Sequence, residues 1–395
     1  MGRWMNMLTF SVSEYSKRLQ MVKESMSRQG IDVLLVTDPA NMNYLTGFDA
    51  WSFYVHQLLI VMIDEDEPIW IGRGIDASAA EITTWLHKDN IIPYTDDYVQ
   101  STLKHPMDFV AHIIIKEGKA NQVIGAEYDA YYFTAKNFIQ LTNKLPNATF
   151  VDGTSLVNWI RIVKSNGEIE LIRKAATIVS ETMMEGIERI ETGVRECDVV
   201  ADIMHKQISG VEDFGGDYTA IVPLLPSGEK TSACHLTWTD DVYKEGDPVI
   251  LELAGCYKRY HSPLARTLVI GKPTSEMEEL ADVAIEGIEA ALDVIKPGVT
   301  CEEVELAWRK SIEKRGYEKE SRIGYSTGLN YPPDWGEHTA SLRPGDQTVL
   351  QPNMVFHMIP GIWLDTYGIE VSETFRVTET GVEVLANVDR KLFIK

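Results

Sequence analysis

Cysteine is scarce in this chain, with only four in 395 residues, at positions 197, 234, 256 and 301. None forms a C-x-x-C pair and none has zinc-finger spacing, which argues against a structural zinc site and against a disulfide scaffold. So few cysteines in so long a chain point to reduced cytosolic thiols, with a single nucleophilic cysteine as the minor alternative. Basic residues are also in short supply, 37 Lys and Arg against 59 Asp and Glu, giving a net charge of −22. A polyanion-binding face needs clustered positive charge, so nucleic acid is not an expected partner, nor is an anionic membrane surface. The acidity fits a salt-adapted cytoplasm, as it fits many mesophilic proteins. No apolar run approaches the roughly 18 residues of a spanning helix. Residues 1–17 lack the charged start and apolar stretch of a signal peptide, and Met5 and Met7 offer alternative starts. The expected location is cytoplasmic.

The hydrophobic fraction of 44% gives ample material for a core, and the length allows two or three domains. Residues 13–29 have helical periodicity that Gly30 stops, and 31–36 form a short apolar strand before Asp38-Pro39. Residues 58–63 and 67–71 read as a strand pair across an acidic turn. A strand over 122–126 precedes a helix over 134–144. This alternation predicts an α/β domain over residues 1–160. Ser165, three residues before Glu168, forms a capping box that opens a long helix to about residue 191, so a second domain is expected over 161–395.

A faint repeat runs through that second part. Ile190-Glu-Thr-Gly-Val-Arg-Glu-Cys-Asp-Val199 parallels Ile295-Lys-Pro-Gly-Val-Thr-Cys-Glu-Glu-Val304, each between two helices. The pattern predicts a duplicated unit about a pseudo-twofold axis; two ordinary helical hairpins sharing turn chemistry are the alternative. Strands are expected at 248–254 with 267–270 and at 355–359 with 371–377, giving an α+β domain.

Five stretches, in order, resemble the creatinase/prolidase ("pita-bread") family: Asn41-Met-Asn-Tyr-Leu-Thr-Gly-Phe48, Arg161-x-x-Lys164-Ser165-x-x-Glu168, Pro248–Gly255 with Arg266-Thr267, Asn353–Gly361, and Tyr367–Thr374. The resemblance implies a creatinase-like N-terminal α/β domain and a catalytic pita-bread C-terminal domain. The family's metallopeptidases hold two divalent ions with two Asp, one His and two Glu. By position these fall on Glu252, Pro263, Tyr325, Ile359 and Ser372. Pro and Ile carry no donor, and Ser and Tyr are poor ligands for these ions, so a five-ligand cage for hard dications is not expected and no cofactor is implied.

Other features remain. His235, closing Thr231-Ser-Ala-Cys-His, sits where the family carries an active-site His, and an imidazole titrates near neutrality. A satisfied half-buried His is the plainer alternative. Glu252 lies in the apolar run Val249–Ala254, where an unpaired carboxylate needs a partner or a task. A salt bridge to Arg266 competes with a role as general base or nucleophile. Glu373 is a third catalytic candidate. Trp51, Tyr54, Tyr325 and Trp335 offer an aromatic wall for a delocalised cation, against ordinary packing, and His338 or Arg322 is a guess for holding a carboxylate. Phe53 and Tyr331 belong to the same aromatic set.

Within the family's metal-free branch, the resemblance is to ectoine-hydrolysing members, through Leu-Glu-Leu-Ala-Gly, Ser-Ala-Cys-His and Tyr331-Pro-Pro-Asp-Trp335. It implies attack at the amidine carbon by Glu252 or by water it activates, with His235 as acid/base, and a homodimer in which Trp51–Tyr54 approaches the partner's site. A creatinase-like amidine or guanidine hydrolase and a non-catalytic peptide-binding module are the rivals.

Overall fold

Ser11 starts the first helix because its hydroxyl accepts the Glu14 N–H, and Gly30 stops it at φ 66°, a conformation that costs glycine little. The computed structural model describes residues 8–395; the alternative starts at Met5 and Met7 lie outside them. Two compact units divide between Arg161 and Ile162.

In the first unit, α1 (Val12–Gln29), α2 (Pro39–Thr46), α3 (Ala77–Thr83), α4 (Pro106–Lys116), α5 (Ala135–Lys144) and α6 (Leu156–Arg161) accompany six strands. These are β1 (Val33–Val36), β2 (Leu58–Met62), β3 (Ile69–Arg73), β4 (Ile91–Tyr94), β5 (Val123–Ala126) and β6 (Thr149–Asp152), in the order β4-β3-β2-β1-β5-β6. The sheet is mixed: β2 runs antiparallel to β1 and β3, and the outer pairings are parallel. Asn41 of the N-terminal motif is a structural residue. Its amide donates to Glu127 and to Asn158, at 2.6 and 2.7 Å. The Glu127 carboxylate also takes the Thr37 and Asp38 N–H groups, at 2.6 and 2.8 Å, and so holds the entry to α2. Burial, with Asp38 nearby, raises Glu127 to about 7.

In the second unit, α7 (Asn166–Arg189) opens on the expected capping box, and α8 (Glu196–Ser209) follows it. Together they cover the hairpin of β7 (Pro248–Tyr257) and β8 (Tyr260–Val269). Gly255 is needed there, because a Cβ would lie 1.9 Å from the Ala175 carbonyl oxygen of α7. The hairpin is longer than the sequence indicates. β8 starts at Tyr260 rather than 267, because His261, Ser262 and Pro263 pair with Cys256, Gly255 and Ala254 in full register. Helices α9 (Ser275–Val294) and α10 (Cys301–Glu313) pack on a five-stranded sheet. Its strands are β9 (Gly324–Thr327), β10 (Gly336–Leu342), β11 (Val355–Met358), β14 (Glu373–Val377) and β15 (Val382–Val384), in the order β10-β9-β11-β14-β15. Short strands β12 (Ile362–Trp363) and β13 (Gly368–Ile369) pair with each other, and β16 (Phe393–Ile394) extends β8. The two similar turn sequences lie between α7 and α8 and between α9 and α10, with Gly193 and Gly298 at φ 88° and 94°.

Buried ion pairs tie these parts together. Lys164 meets Glu337 of β10 at 2.6 Å. Arg266, fully buried, donates to Glu373 at 2.7 Å and to the carbonyls of Ser372, Val388 and Asp389. Burial pulls both members toward neutrality, Arg266 down and Glu373 up, and each one's charge opposes that pull on the other. Removing one partner strands the other charge. Glu373→Leu should therefore cost about 3–5 kcal/mol of stability, and Arg266→Met combined with it should recover part of that loss, as read by urea unfolding. A single variant as stable as the parent would show that the pair contributes nothing.

Candidate active site

The alternation of strand β7 decides which residues face the site. Leu251 and Leu253 enter the core beneath α7 and α8, and Glu252 points the other way. Its backbone is fixed on both edges: Glu252 pairs with Ala265 of β8 and exchanges two 3.0 Å hydrogen bonds with Leu224. The carboxylate is buried and accepts no hydrogen bond from any described residue. Burial pushes its pKa well above the usual carboxylate range, and the charge of Glu370 adds to the rise.

Glu370 follows β13 directly. Thr267 of β8 holds its backbone at both ends, taking the N–H at 2.9 Å and giving its hydroxyl to the carbonyl at 2.8 Å. Burial raises the Glu370 carboxyl to about 7, and Lys319 works against that rise. Lys319 lies with its ammonium 4.1 Å from the Trp363 ring centroid and donates to the Gly361 carbonyl at 2.8 Å. Burial pulls this lysine down to about 8, with Glu370 holding it up. Glu370 thus links two buried neighbours, acting on the Glu252 carboxyl on one side and on the Lys319 ammonium on the other.

Tyr325 and Ser372, two of the five positions that the family resemblance singled out, belong to one hydrogen-bonded network. The Trp335 indole N–H donates to the Tyr325 hydroxyl at 2.8 Å, and that hydroxyl lies 3.1 Å from His357 Nδ1. His357 Nε2 lies 2.8 Å from Ser372 Oγ, which accepts the Ala265 N–H at 2.6 Å. Burial, with Arg322 nearby, lowers His357 to about 3, so the ring is neutral and has one proton to place. Two arrangements satisfy these bonds. In one, Tyr325 donates to His357; in the other, Ser372 donates to His357 and the Tyr325 proton is free. Burial raises the Tyr325 phenol well above its usual range, and the Glu252 charge adds to this, which places the phenol within electrostatic reach of that carboxylate. Ala220, Ala254 and Trp335 form an apolar wall beside Tyr325.

Of the residues singled out in the sequence, the structure gathers Glu252, Tyr325 and Trp335. His235 lies on the 231–239 loop, exposed, with φ 69°. The same loop begins at Thr231, whose hydroxyl takes the Gly368 N–H at 3.2 Å, two residues before Glu370. Its Cys234 is close enough to Lys319 to act on the lysine's charge. Glu373 points away from Glu252. Its neighbour Ser372, just before β14, faces the network, and Glu373 faces Arg266, an ion pair that accounts for its burial. Arg266 is therefore the partner of Glu373 and not of Glu252. His338, at φ 55°, holds Asp334 at 2.9 Å. Burial would raise Asp334, but His338 and the Gly336 N–H outweigh it and hold the carboxyl low. Arg322 stands with its guanidinium 4.5 Å from the Tyr325 ring centroid. Trp51 and Tyr54 belong to the first unit, 58% and 60% exposed; Trp51 packs on Phe53 at 4.8 Å.

Glu370, Lys319 and His357 were not anticipated. A charged residue inside Tyr367-Gly-Ile-Glu-Val371 was the available signal for Glu370, by the same reasoning that marked Glu252. Among the described residues, no three His, Cys, Asp or Glu side chains gather as a metal-holding group. Pro263 and Ile359 offer no side-chain donor, so the residues present do not fit a dinuclear metal centre.

Two family descriptions match this chain. Residues 170–379 match "Metallopeptidase family M24", and residues 18–163 match "Creatinase/Prolidase N-terminal domain". An ectoine hydrolase of Halomonas elongata is 45% identical, over 98% of this chain and 99% of that protein. An uncharacterized hydrolase/peptidase of Sinorhizobium fredii is 46% identical, over 99% of this chain and all of that one. A prolidase structure from Thermococcus sibiricus superposes with a TM-score of 0.84 at 22% identity, covering 96% of this chain and 99% of that one, and shares the fold. With both of its units accounted for in this way, the chain belongs to the creatinase/prolidase family, as a member of metallopeptidase family M24 with the creatinase-type N-terminal domain.

Proposed function

We propose that this protein opens the cyclic amidine ring of ectoine by hydrolysis, giving N-acetyl-2,4-diaminobutyrate, without a metal ion in the chemistry. One observation carries the reading: a buried, unpaired Glu252 occupies a former ligand position in a pocket that supplies no metal cage. The ectoine hydrolase of Halomonas elongata supports the choice of substrate.

Charge balance explains why an amidinium suits this pocket. Glu252 and Glu370 resist joint ionisation, and the Lys319 charge acts on Glu370 alone of the two. A bound amidinium supplies the second positive charge, so two carboxylates meet two cations and both can ionise. Arg322, beside Tyr325 and bonded to Ser341, takes the substrate carboxylate in this reading; His338 is engaged with Asp334. Water then attacks the amidine carbon, C2. Its oxygen bonds to C2 while Glu252 takes its proton. As the C2–N bond breaks, the bonding pair leaves with nitrogen, and His235 supplies the proton that makes it an amine. The hydroxyl on C2 yields its proton to Glu370 as the acetamide carbonyl forms. Tyr325, braced by Trp335 and His357, donates toward the oxygen that gains charge. The same reading makes the protein a cytoplasmic homodimer, with exposed Trp51 and Tyr54 approaching the partner's site.

Three outcomes test this. Glu252→Gln should lower ectoine turnover by about 10²–10⁴-fold, followed by proton NMR, while circular dichroism stays that of the parent. Normal turnover would end the mechanism. The chelator-treated parent should open ectoine at an undiminished rate and leave creatine untouched; activity that returns only with added metal would contradict the donor chemistry. Stability should also respond to pH. Glu370 binds its proton more tightly folded than unfolded, so its contribution is complete below about 4.5 and is lost as pH rises toward about 7. Unfolding free energy should fall across that window by up to about 1.4 kcal/mol per pH unit, and Glu370→Gln should flatten the slope. An unchanged slope in that variant would place the titration elsewhere.

A further inference from the structure

Glu196 is a fully buried carboxylate at the start of α8, remote in sequence from every residue assigned to the chemistry. All of its hydrogen bonds go to the two ends of the loop that carries His235. Oε1 takes the Ser227 hydroxyl and the Lys230 ammonium, the latter at 2.6 Å. Oε2 takes the Thr239 N–H at 2.6 Å and its hydroxyl at 2.9 Å. The Glu196 N–H donates to the Asp241 carbonyl at 2.9 Å. Burial would raise this carboxyl, but the four donors outweigh it and hold it low, so it is ionised. Lys230 closes the ring by reaching Thr239 Oγ1 and Asp241 Oδ2, at 3.1 and 3.3 Å.

The stretch between these anchors behaves differently. Residues 233–237 are exposed or half-exposed, and they include Cys234, His235 and Leu236. Thr231 fixes the leading end to Gly368, beside Glu370. A short exposed tip thus stands on a base locked to a buried charge. Fixing the base limits the paths the tip can take, and a general acid must lie within hydrogen-bond reach of the atom it protonates.

We propose that Glu196 is a positioning residue: by clamping both ends of the 227–239 segment it sets where the His235 imidazole is delivered over the site. This rests on the catalytic role given to His235. It assigns no contact between Glu196 and the substrate.

The test is a double-mutant cycle on the full-length enzyme with ectoine as substrate, read together with hydrogen exchange. Glu196→Gln keeps the shape but loses the charge that Lys230 needs. In the parent background it should lower kcat by about 10-fold or more, with KM changed less than about threefold. In the His235→Gln background it should lower kcat no further, because nothing is left to position. Equal losses in both backgrounds, or an unchanged kcat in the parent, would overturn the proposal. Faster exchange of the Thr239 amide in Glu196→Gln is expected in either background, and unchanged protection would overturn the clamp itself. If His235→Gln turns over normally, the role of His235 fails and the exchange result alone judges the clamp. Should Glu196→Gln not fold, Lys230→Met removes one arm of the clamp, and the same split between backgrounds is expected at smaller amplitude.

Discussion

A carboxylate buried without a counter-ion is the constraint on which this site depends. Glu252 sits in an apolar strand, and among the described residues no cation pairs with its carboxylate. The structure answers in two ways. Burial favours the protonated form of Glu252 and Glu370, and Lys319 offers a single positive charge held over Trp363. With one carboxyl protonated, the group of Glu252, Glu370 and Lys319 is close to neutral.

The buried polar groups beside Glu252 satisfy one another. Tyr325, His357 and Ser372 form a continuous hydrogen-bonded chain anchored by Trp335 and by the Ala265 N–H. A partly satisfied polar network in such a buried space would be costly, because each orphaned group keeps its desolvation penalty. Completing the chain with neutral groups avoids that penalty and keeps the walls rigid.

Much of this was legible in the sequence, and the rest was hidden for physical reasons. The capping box at Ser165 and Glu168 located the start of α7, because capping is local chemistry. The buried acid at 252 stood out against an apolar run. The first half of β8 did not, since His261, Ser262 and Pro263 lack strand character and are held by a ten-residue register with β7. Lys319 and Glu370 lie 51 residues apart in the chain, and only the fold brings them within reach of each other. The Asn41 motif showed its pattern but not its task, which is to hold Glu127 at the entry to α2.

The contrast between Glu252 and Glu373 shows why a buried acid cannot be assigned a role from burial alone. Both lie in strands of the second unit, and burial raises the pKa of both. A strand side chain has only two faces, and a shift of one residue exchanges them. Ser372 turns toward His357, which sends Glu373 to the opposite face, where Arg266 meets it at 2.7 Å. Leu251 turns into the core, which sends Glu252 to the pocket. One carboxylate therefore spends its charge on an arginine that also binds four backbone carbonyls, and becomes part of the framework. The other has no ion-pair partner among the described residues, and its burial is matched by no charge of its own.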